Sequence, residues 1–324
     1  MHELISNHVS SSLIGEMVGA AREGDARAVA RLVTLVESND HRLPALAAAL
    51  APHTGTAQVI GLTGAPGVGK STTTSELVRV LRGRGERVGV LAVDPASPFT
   101  GGAILGDRIR MQEHATDPGV YIRSMSSRGH LGGLAAATPQ AVRVLDGAGC
   151  DTVLVETVGV GQAEVDVASL ADTTLVLLAP GMGDAIQAAK AGILEVADIF
   201  VVNKADRDGA DATYHDIQGM IGLAERTPGQ WRPPVVRAVA SRSEGIEEIV
   251  AAVDKHREWL RGHDQLRQRR EQRAAAEVEA IVLEVLRGRV RSIRGGSSLA
   301  ALAAAVAAGD KDPYTAADEI LSSI

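Results

Sequence analysis

The stretch Gly64-Ala-Pro-Gly-Val-Gly-Lys-Ser71 fits the pattern G-x-x-x-x-G-K-[ST] and lies between the apolar run VIGLT and the helix-forming run TTTSELVRVLRGRG. Glycines at these positions let successive backbone N–H groups surround phosphate oxygens, and the start of the following helix directs its positive dipole end at the same anion. Lys70 is expected to bridge the β- and γ-phosphates of a nucleotide, and the Ser71 hydroxyl to bind Mg²⁺. The stretch therefore predicts a phosphate-binding loop whose nucleotide contacts come from Gly64, Ala65, Pro66, Gly67, Val68, Gly69, Lys70, Ser71 and Thr72.

Short apolar and β-branched runs alternate with longer helical stretches downstream of this loop. Near-continuous apolar strands separated by helices predict a parallel sheet that is covered on both faces. The ligand loops of such a sheet lie at the carboxyl ends of its strands. The expected strands are Gln58–Thr63, Val88–Val93, Val120–Arg123, Thr152–Val155, Thr174–Leu178, Ile199–Val202 and Val235–Val239.

Two acidic residues follow predicted strands and are candidates for the magnesium site. Asp94 ends the run VGVLAVD and Glu156 ends the run DTVLVE, so both carboxylates are expected at the same sheet edge as Lys70. Glu156-Thr-Val-Gly159 has the spacing of a D-x-x-G motif, with Glu in place of Asp, and the Gly159 N–H can contact a γ-phosphate. That contact exists only with a triphosphate, so this loop is predicted to switch with the nucleotide state. Lys70, Asp94 and Glu156 are the predicted catalytic residues, with Asp94 the preferred candidate for positioning the attacking water.

Asn203-Lys-Ala-Asp206 follows the run IFVVN and has the N-K-x-D spacing. The Asp206 carboxylate can accept hydrogen bonds from guanine N1–H and from the exocyclic amine, while the stem of Lys204 packs on the base. Adenine offers neither donor in that geometry and would leave the carboxylate buried without a partner. Ser241 and Arg242 follow the next strand, where a backbone N–H could bind guanine O6. The motif therefore predicts that the nucleotide is GTP or GDP.

These observations together predict an α/β fold, a P-loop GTPase domain with a mostly parallel sheet, extended by helices at both ends. Apolar residues recur at three- and four-residue spacings before the sheet, which predicts an N-terminal helical segment at residues 1–55. The GTPase domain is expected at residues 56–262. A C-terminal helical dimerisation segment is expected at residues 263–324, with the apolar side chains between Val278 and Leu286 on one face. The arginines at positions 267, 269, 270 and 273 are interpreted as a solvated helix face.

Composition argues against several other classes of protein. The net charge of -7 is unsuited to binding a nucleic-acid backbone, so we expect no nucleic-acid partner. The sequence contains no stretch of about 18 consecutive apolar residues, so we expect no membrane span. One cysteine among 324 residues suits the reducing cytoplasm, where we expect the protein to act.

Five blocks of the sequence resemble the methylmalonyl-CoA mutase-associated GTPases, once described as arginine/ornithine transport kinases, within the metallochaperone-like G proteins. The blocks are Gly64–Thr72, Asp94–Met111, Arg128–Leu134, Glu156–Asp166 and Asn203–Asp206. The resemblance implies that Asp94, Asp107 and Glu156 serve the magnesium site, and that Pro180–Lys190 is a mobile segment that transmits the nucleotide state to a partner enzyme. It also implies a homodimer.

The function implied by this resemblance is a GTP-driven chaperone of an adenosylcobalamin-dependent acyl-CoA mutase, such as methylmalonyl-CoA mutase, with slow basal hydrolysis. A metal-insertion GTPase for a nickel or cobalt enzyme is one alternative. It predicts a His-rich or C-x-x-C metal store, and the sequence has neither. A small-molecule or protein kinase linked to amino-acid transport is the other alternative, against which the guanine-specific N-K-x-D spacing argues.

Overall fold

The computed structural model describes residues 2–94, 112–126, 137–157, 163–181, 193–224, 227, 229–294 and 297–322. The predicted α/β fold is confirmed: a parallel sheet lies between layers of helices, with further helices at both ends of the chain.

The N-terminal residues form three helices: α1 (His2–Arg22), α2 (Ala26–Glu37) and α3 (Leu43–Leu50). Helix α2 begins where the Asp25 carboxylate accepts hydrogen bonds from the backbone N–H groups of Arg27 (2.8 Å) and Ala28 (3.3 Å), as a helix N-cap does. Its buried side chains recur at helical spacing along one face. They share one core with side chains of the sheet, so the N-terminal helices pack on the sheet as a covering layer.

The sheet contains seven parallel strands in the described residues, in the order β3-β2-β4-β1-β5-β6-β7. Strand β1, which precedes the phosphate-binding loop, is therefore central, with β4 and β5 as its neighbours. All the strands run the same way, so their carboxyl ends meet at one edge. The strands are β1 (Gln58–Thr63), β2 (Val88–Asp94), β3 (Val120–Ser126), β4 (Thr152–Thr157), β5 (Thr173–Leu178), β6 (Ile199–Asn203) and β7 (Val235–Ala238).

Helices cover both faces of this sheet. The connecting helices are α4 (Lys70–Gly83), α5 (Thr138–Gly147), α6 (Ala163–Leu170), α7 (Ile193–Val196), α8 (Ala210–Leu223) and α9 (Ile246–Gly262). Successive strand residues enter opposite cores, as the period of two requires: Val153 and Val155 pack with α5 and α6, while Leu154 packs with α4 and α9. The near-continuous apolar strands of the sequence are explained by these two buried faces.

The amino edge of the sheet, opposite the phosphate-binding loop, contains a buried polar network around Asp198. Its carboxylate accepts two N–H bonds from the Arg269 guanidinium, at 2.8 and 2.9 Å, and one from the Thr174 backbone at 2.8 Å. The fully buried His256 ring lies 3.3 Å from the same carboxylate and 2.9 Å from the Thr173 hydroxyl. The interpretation of Arg269 as part of a solvated helix face is therefore wrong, because its head group pairs with a buried acid.

Contacts divide the chain into two units, Met1–Arg269 and Arg270–Ile324. Helix α10 (Gln265–Arg294) spans this division and is followed by α11 (Ser297–Ala308) and α12 (Pro313–Leu321). The predicted apolar side chains of α10 are exposed, from 41% at Leu286 to 62% at Val278. The division into segments 1–55, 56–262 and 263–324 stays a prediction.

Candidate nucleotide-binding site

At two positions of the predicted phosphate-binding loop, residues 64–71, only glycine fits the backbone conformation and the space available. Gly64 has φ +137°, and a Cβ there would lie 2.2 Å from the Leu177 carbonyl oxygen. Gly69 has φ +98°, and a Cβ there would lie 2.3 Å from Nδ2 of Asn203. A larger residue at either position would clash with a neighbouring strand end. The glycines of the motif thus fix the loop against β5 and β6.

Lys70 is the first residue of α4, and its side chain is folded back over the loop. Its Nζ donates to the carbonyl oxygens of Gly64 at 2.7 Å and Ala65 at 3.1 Å. The residue is 7% exposed. The ammonium group is therefore held over the loop, beside the first turn of α4, the end of the helix that carries its positive dipole.

Ser71 and Glu156 are joined by a short hydrogen bond, in which the Ser71 hydroxyl donates to Oε1 at 2.6 Å. Thr74 Oγ1 lies 2.9 Å from Oε2 of Glu156 and 3.0 Å from the Lys70 carbonyl oxygen. Glu156 is only 5% exposed, because it lies on β4 between Leu62 of β1 and Ala92 of β2. A hydroxyl and a carboxylate this close are hard oxygen donors of the kind that Mg²⁺ prefers, so the predicted donor set fits the ion at these two residues.

The N-K-x-D loop, Asn203–Asp206, is clamped to the phosphate-binding loop. The Asn203 amide donates to the Val68 carbonyl at 2.8 Å and accepts from the Ala240 N–H at 3.1 Å. Lys204, with φ +57°, donates from Nζ to the Gly67 carbonyl at 2.5 Å. Asn203 thereby links three loops that lie at the carboxyl ends of β1, β6 and β7.

The fourth residue of the N-K-x-D loop is held near Arg242. Oδ2 of Asp206 lies 3.1 Å from Nη2 of Arg242, which belongs to the turn Ala240–Arg242 after β7. The side chain of Asp206 is 32% exposed. The structure thus brings both predicted ends of the nucleotide site to one sheet edge.

Several predicted site residues lie outside the described part of the chain. They are Asp107, Gly159, the side chain of Asp94 and residues 182–190 of the predicted mobile segment. The backbone of Asp94 ends β2, where it pairs with Ser126 of β3. Within the described residues, no group of three or more His, Cys, Asp and Glu side chains could hold a metal ion. The magnesium roles of Asp94 and Asp107 stay predictions.

Thr74 and Ser75 of α4 make contacts near the site that were not predicted from the sequence. Thr74 reaches Glu156 because it lies one helical turn after Ser71, a spacing that the sequence does display. Ser75 donates to Oε1 of Glu113 at 2.6 Å, and its Oγ lies 3.0 Å from Nε2 of His114. These contacts attach the short turn Gln112–His114 to α4, and no sequence signal marked them.

No helix in the described ranges combines the length and apolarity that crossing a membrane requires.

The chain is similar to one protein family, to proteins named as GTPases and to a solved structure. The family model described as "Methylmalonyl Co-A mutase-associated GTPase MeaB" matches residues 29–294. A protein of Pyrococcus abyssi named as a GTPase is 48% identical over 315 residues, which cover 96% of this chain and 97% of the relative. The GTPase ArgK of Escherichia coli K12 is 37% identical over 273 residues, 82% of each chain. A solved structure, that of an LAO/AO transport system kinase, superposes with a TM-score of 0.70 at 27% identity, over 96% of this chain and 97% of the other.

Proposed function

The chain belongs to the methylmalonyl Co-A mutase-associated GTPase family MeaB, and from that premise we propose that it is a GTP-hydrolysing chaperone of an adenosylcobalamin-dependent acyl-CoA mutase. The mutase that fits the family description is methylmalonyl-CoA mutase. In this proposal the protein protects the mutase and gates the loading of its cofactor.

The observation that carries the GTPase part of the proposal is the clamp between the two loops. The Asn203 amide donates to the Val68 carbonyl at 2.8 Å, so a direct hydrogen bond joins the loop expected to hold the phosphates to the loop expected to hold the base. A purine nucleotide is long enough to need contacts at both loops. Their fixed spacing supports one guanine nucleotide bound across the sheet edge.

Phosphoryl transfer needs positioned groups and neutralised charge more than covalent chemistry from the protein. Lys70 holds its ammonium over the loop, where it would face the β- and γ-phosphates. Ser71 and Glu156 would hold Mg²⁺, which supplies further charge neutralisation when bound. Asp94 ends the neighbouring strand and is proposed to orient the attacking water.

The proposed base contacts follow from hydrogen-bond chemistry. Asp206 offers two carboxylate oxygens to guanine N1–H and to the exocyclic amine. The Lys204 stem crosses the gap between the two loops and would pack on the base. The Ser241 backbone N–H would contact guanine O6, because the Arg242 N–H already donates to the Val239 carbonyl at 2.8 Å.

The test is GTP turnover by the full chain with and without the purified mutase. Slow basal turnover, accelerated by the mutase, is expected because Val160 follows Gly159 where a glutamine could have oriented water. Equal rates with and without the mutase would contradict the chaperone role. A Lys70→Ala chain mixed with the same mutase is the control for contaminating hydrolysis, and co-purification of the two proteins is measured in parallel.

A kinase linked to amino-acid transport is the second candidate, because the solved relative carries the name of a transport system kinase. This candidate requires the γ-phosphate to appear on an acceptor rather than in solution. Turnover of GTP labelled in its γ-phosphate separates the two functions. The chaperone would release all of the label as inorganic phosphate, whereas the kinase would transfer it to an acceptor.

We further propose that the protein acts as a homodimer in the cytoplasm. The exposed apolar side chains of α10 support the dimer, because a second copy would remove them from water. Light scattering of the full chain measures this directly.

A further inference from the structure

Arg242 has a position that its predicted backbone role does not explain. Its guanidinium, 59% exposed, lies 3.1 Å from the Asp206 carboxylate, which is the group proposed to recognise guanine. The Arg242 backbone is fixed: its N–H donates to the Val239 carbonyl at 2.8 Å, and Val239 and Glu244 exchange hydrogen bonds at 3.0 and 3.3 Å. The side chain therefore starts from a rigid turn and ends at the base-recognition carboxylate.

The guanidinium group and the recognition edge of guanine present the same chemistry to a carboxylate. In guanine, N1–H and the exocyclic amine are bonded to one carbon, C2, and both donate in the same plane. In arginine, neighbouring N–H groups are bonded to one carbon, Cζ, and donate as a planar fork. Arg242 thus places beside Asp206 a group that can take the hydrogen bonds of the base.

We propose that Arg242 is an intramolecular competitor of guanine for Asp206, and that it sets the association rate of guanine nucleotides. The inference rests on the proposed role of Asp206. Guanine can bind only when the arginine has left the carboxylate, so the observed association rate is the intrinsic rate multiplied by the fraction of molecules with the pair open. The dissociation rate is independent of that fraction.

The experiment is stopped-flow binding of a fluorescent GDP analogue to the full chain and to Arg242→Ala. An exposed ion pair favours its closed form only modestly, so the association rate constant should rise by about 2- to 6-fold while the dissociation rate constant stays the same. This direction is informative, because loss of a positive charge near the site would by itself slow the association of an anionic nucleotide. An unchanged or slower association, or a change confined to dissociation, would overturn the proposal.

Two controls separate competition from a general effect of losing an arginine. Arg84→Ala removes an exposed pair of similar exposure, Arg84–Asp254 at 2.8 Å, and should leave both rate constants unchanged. Inorganic tripolyphosphate has no base and can contact only the phosphate part of the site. Its affinity should therefore be the same for the parent chain and for Arg242→Ala. A gain in tripolyphosphate affinity would contradict competition at the base.

A double-mutant cycle with Asp206→Asn distinguishes failure of this inference from failure of the proposed function. In the Asp206→Asn background, Arg242→Ala should no longer speed association, because the charged partner is gone. If Asp206→Asn leaves guanine binding intact, the proposed recognition role of Asp206 is wrong. If Asp206→Asn weakens guanine binding but Arg242→Ala has no effect in either background, only the competition is wrong.

Discussion

The two edges of the parallel sheet each bury a carboxylate, but they give it different partners. At the carboxyl edge, Glu156 accepts from the hydroxyls of Ser71 and Thr74 at 2.6 and 2.9 Å. At the amino edge, Asp198 accepts from the Arg269 guanidinium at 2.8 and 2.9 Å. Glu156 is 5% exposed and Asp198 is 6% exposed, so burial does not distinguish them.

The identity of the donors does distinguish the two edges. A hydroxyl can turn a lone pair toward a metal ion, so Ser71 and Glu156 can share Mg²⁺. A guanidinium stays charged and has no lone pair to offer, so Asp198 and Arg269 form a closed structural pair. We infer that the carboxyl edge serves catalysis and that the amino edge serves stability, and four predictions test this contrast.

The largest expected effect is that of Lys70→Ala on GTP turnover. Removal of the ammonium that we propose faces the phosphates should lower the turnover rate constant by at least about 10³-fold, because transition-state charge would lose a fixed partner. Phosphate release is the measurement, and Arg84→Ala is the control expected to keep the parent rate. Retained turnover in Lys70→Ala would place the chemistry elsewhere.

The second effect is a change of base preference in Asp206→Asn. Xanthine has a carbonyl at C2 where guanine has an amine. The oxygen of an asparagine amide can still accept from N1–H of either base, but its NH₂ group can donate only to xanthine and would face the amine of guanine. The ratio of GDP to XDP affinity should fall by roughly several hundredfold, which is the cost of mismatched polar groups. Competition binding of the two nucleotides measures the ratio. An unchanged ratio would show that the base lies away from Asp206.

The third effect belongs to the amino edge. Asp198→Ala leaves the Arg269 guanidinium without its acid and should lower the free energy of unfolding by about 3 kcal/mol. Urea denaturation followed by tryptophan fluorescence measures it, since the Trp231 indole donates to the Asp198 carbonyl at 2.7 Å. Asp254→Ala, which breaks an exposed pair, should change stability by less than about 0.5 kcal/mol. If folded Asp198→Ala lost GTP turnover at low temperature, the proposed separation of the two edges would fail.

The smallest effect is a pH dependence of stability at the amino edge. Burial lowers the pKa of His256 from 6.5 to about 4, with the Arg269 charge acting in the same direction and the charges of Asp198 and Asp172 opposing it. The unfolded chain therefore binds a proton at higher pH than the folded chain does. This stability contribution is complete above about pH 6.5 and is lost as the pH falls toward 4, by about 2 to 3 kcal/mol.

The measurement for His256 compares urea denaturation of the parent chain and of His256→Gln between pH 7 and pH 4. The difference between their unfolding free energies should shrink as the pH falls, because only the parent chain has this histidine to protonate. Parallel pH profiles would show that His256 does not titrate between the two states. GTP turnover near neutral pH should be the same in both chains.

Local patterns in the sequence were sufficient to predict the fold class and most of the carboxyl edge. The glycine spacing of residues 64–71 requires a tight loop before a helix, and the structure begins α4 at Lys70. The sequence underestimated β3, predicted to end at Arg123 and observed to end at Ser126, because polar Ser124 and Ser126 interrupt the apolar pattern and are held in the strand by pairing with β2. Polar strand ends gain their stability from a neighbour that the local pattern does not identify.

The sequence by itself determined the fold class, the approximate positions of the strands and the two motif-bearing loops that follow β1 and β6, because glycine geometry and side-chain period are local properties. The tertiary structure alone decided that Thr74 meets Glu156, that Asn203 clamps Val68, that Arg242 lies on Asp206 and that Arg269 reaches Asp198. These pairs depend on the strand order. That order places β1 between β4 and β5, and it places β6 beside β7. A period of apolar residues specifies which face of a strand is buried, but it does not specify which strand lies next to it.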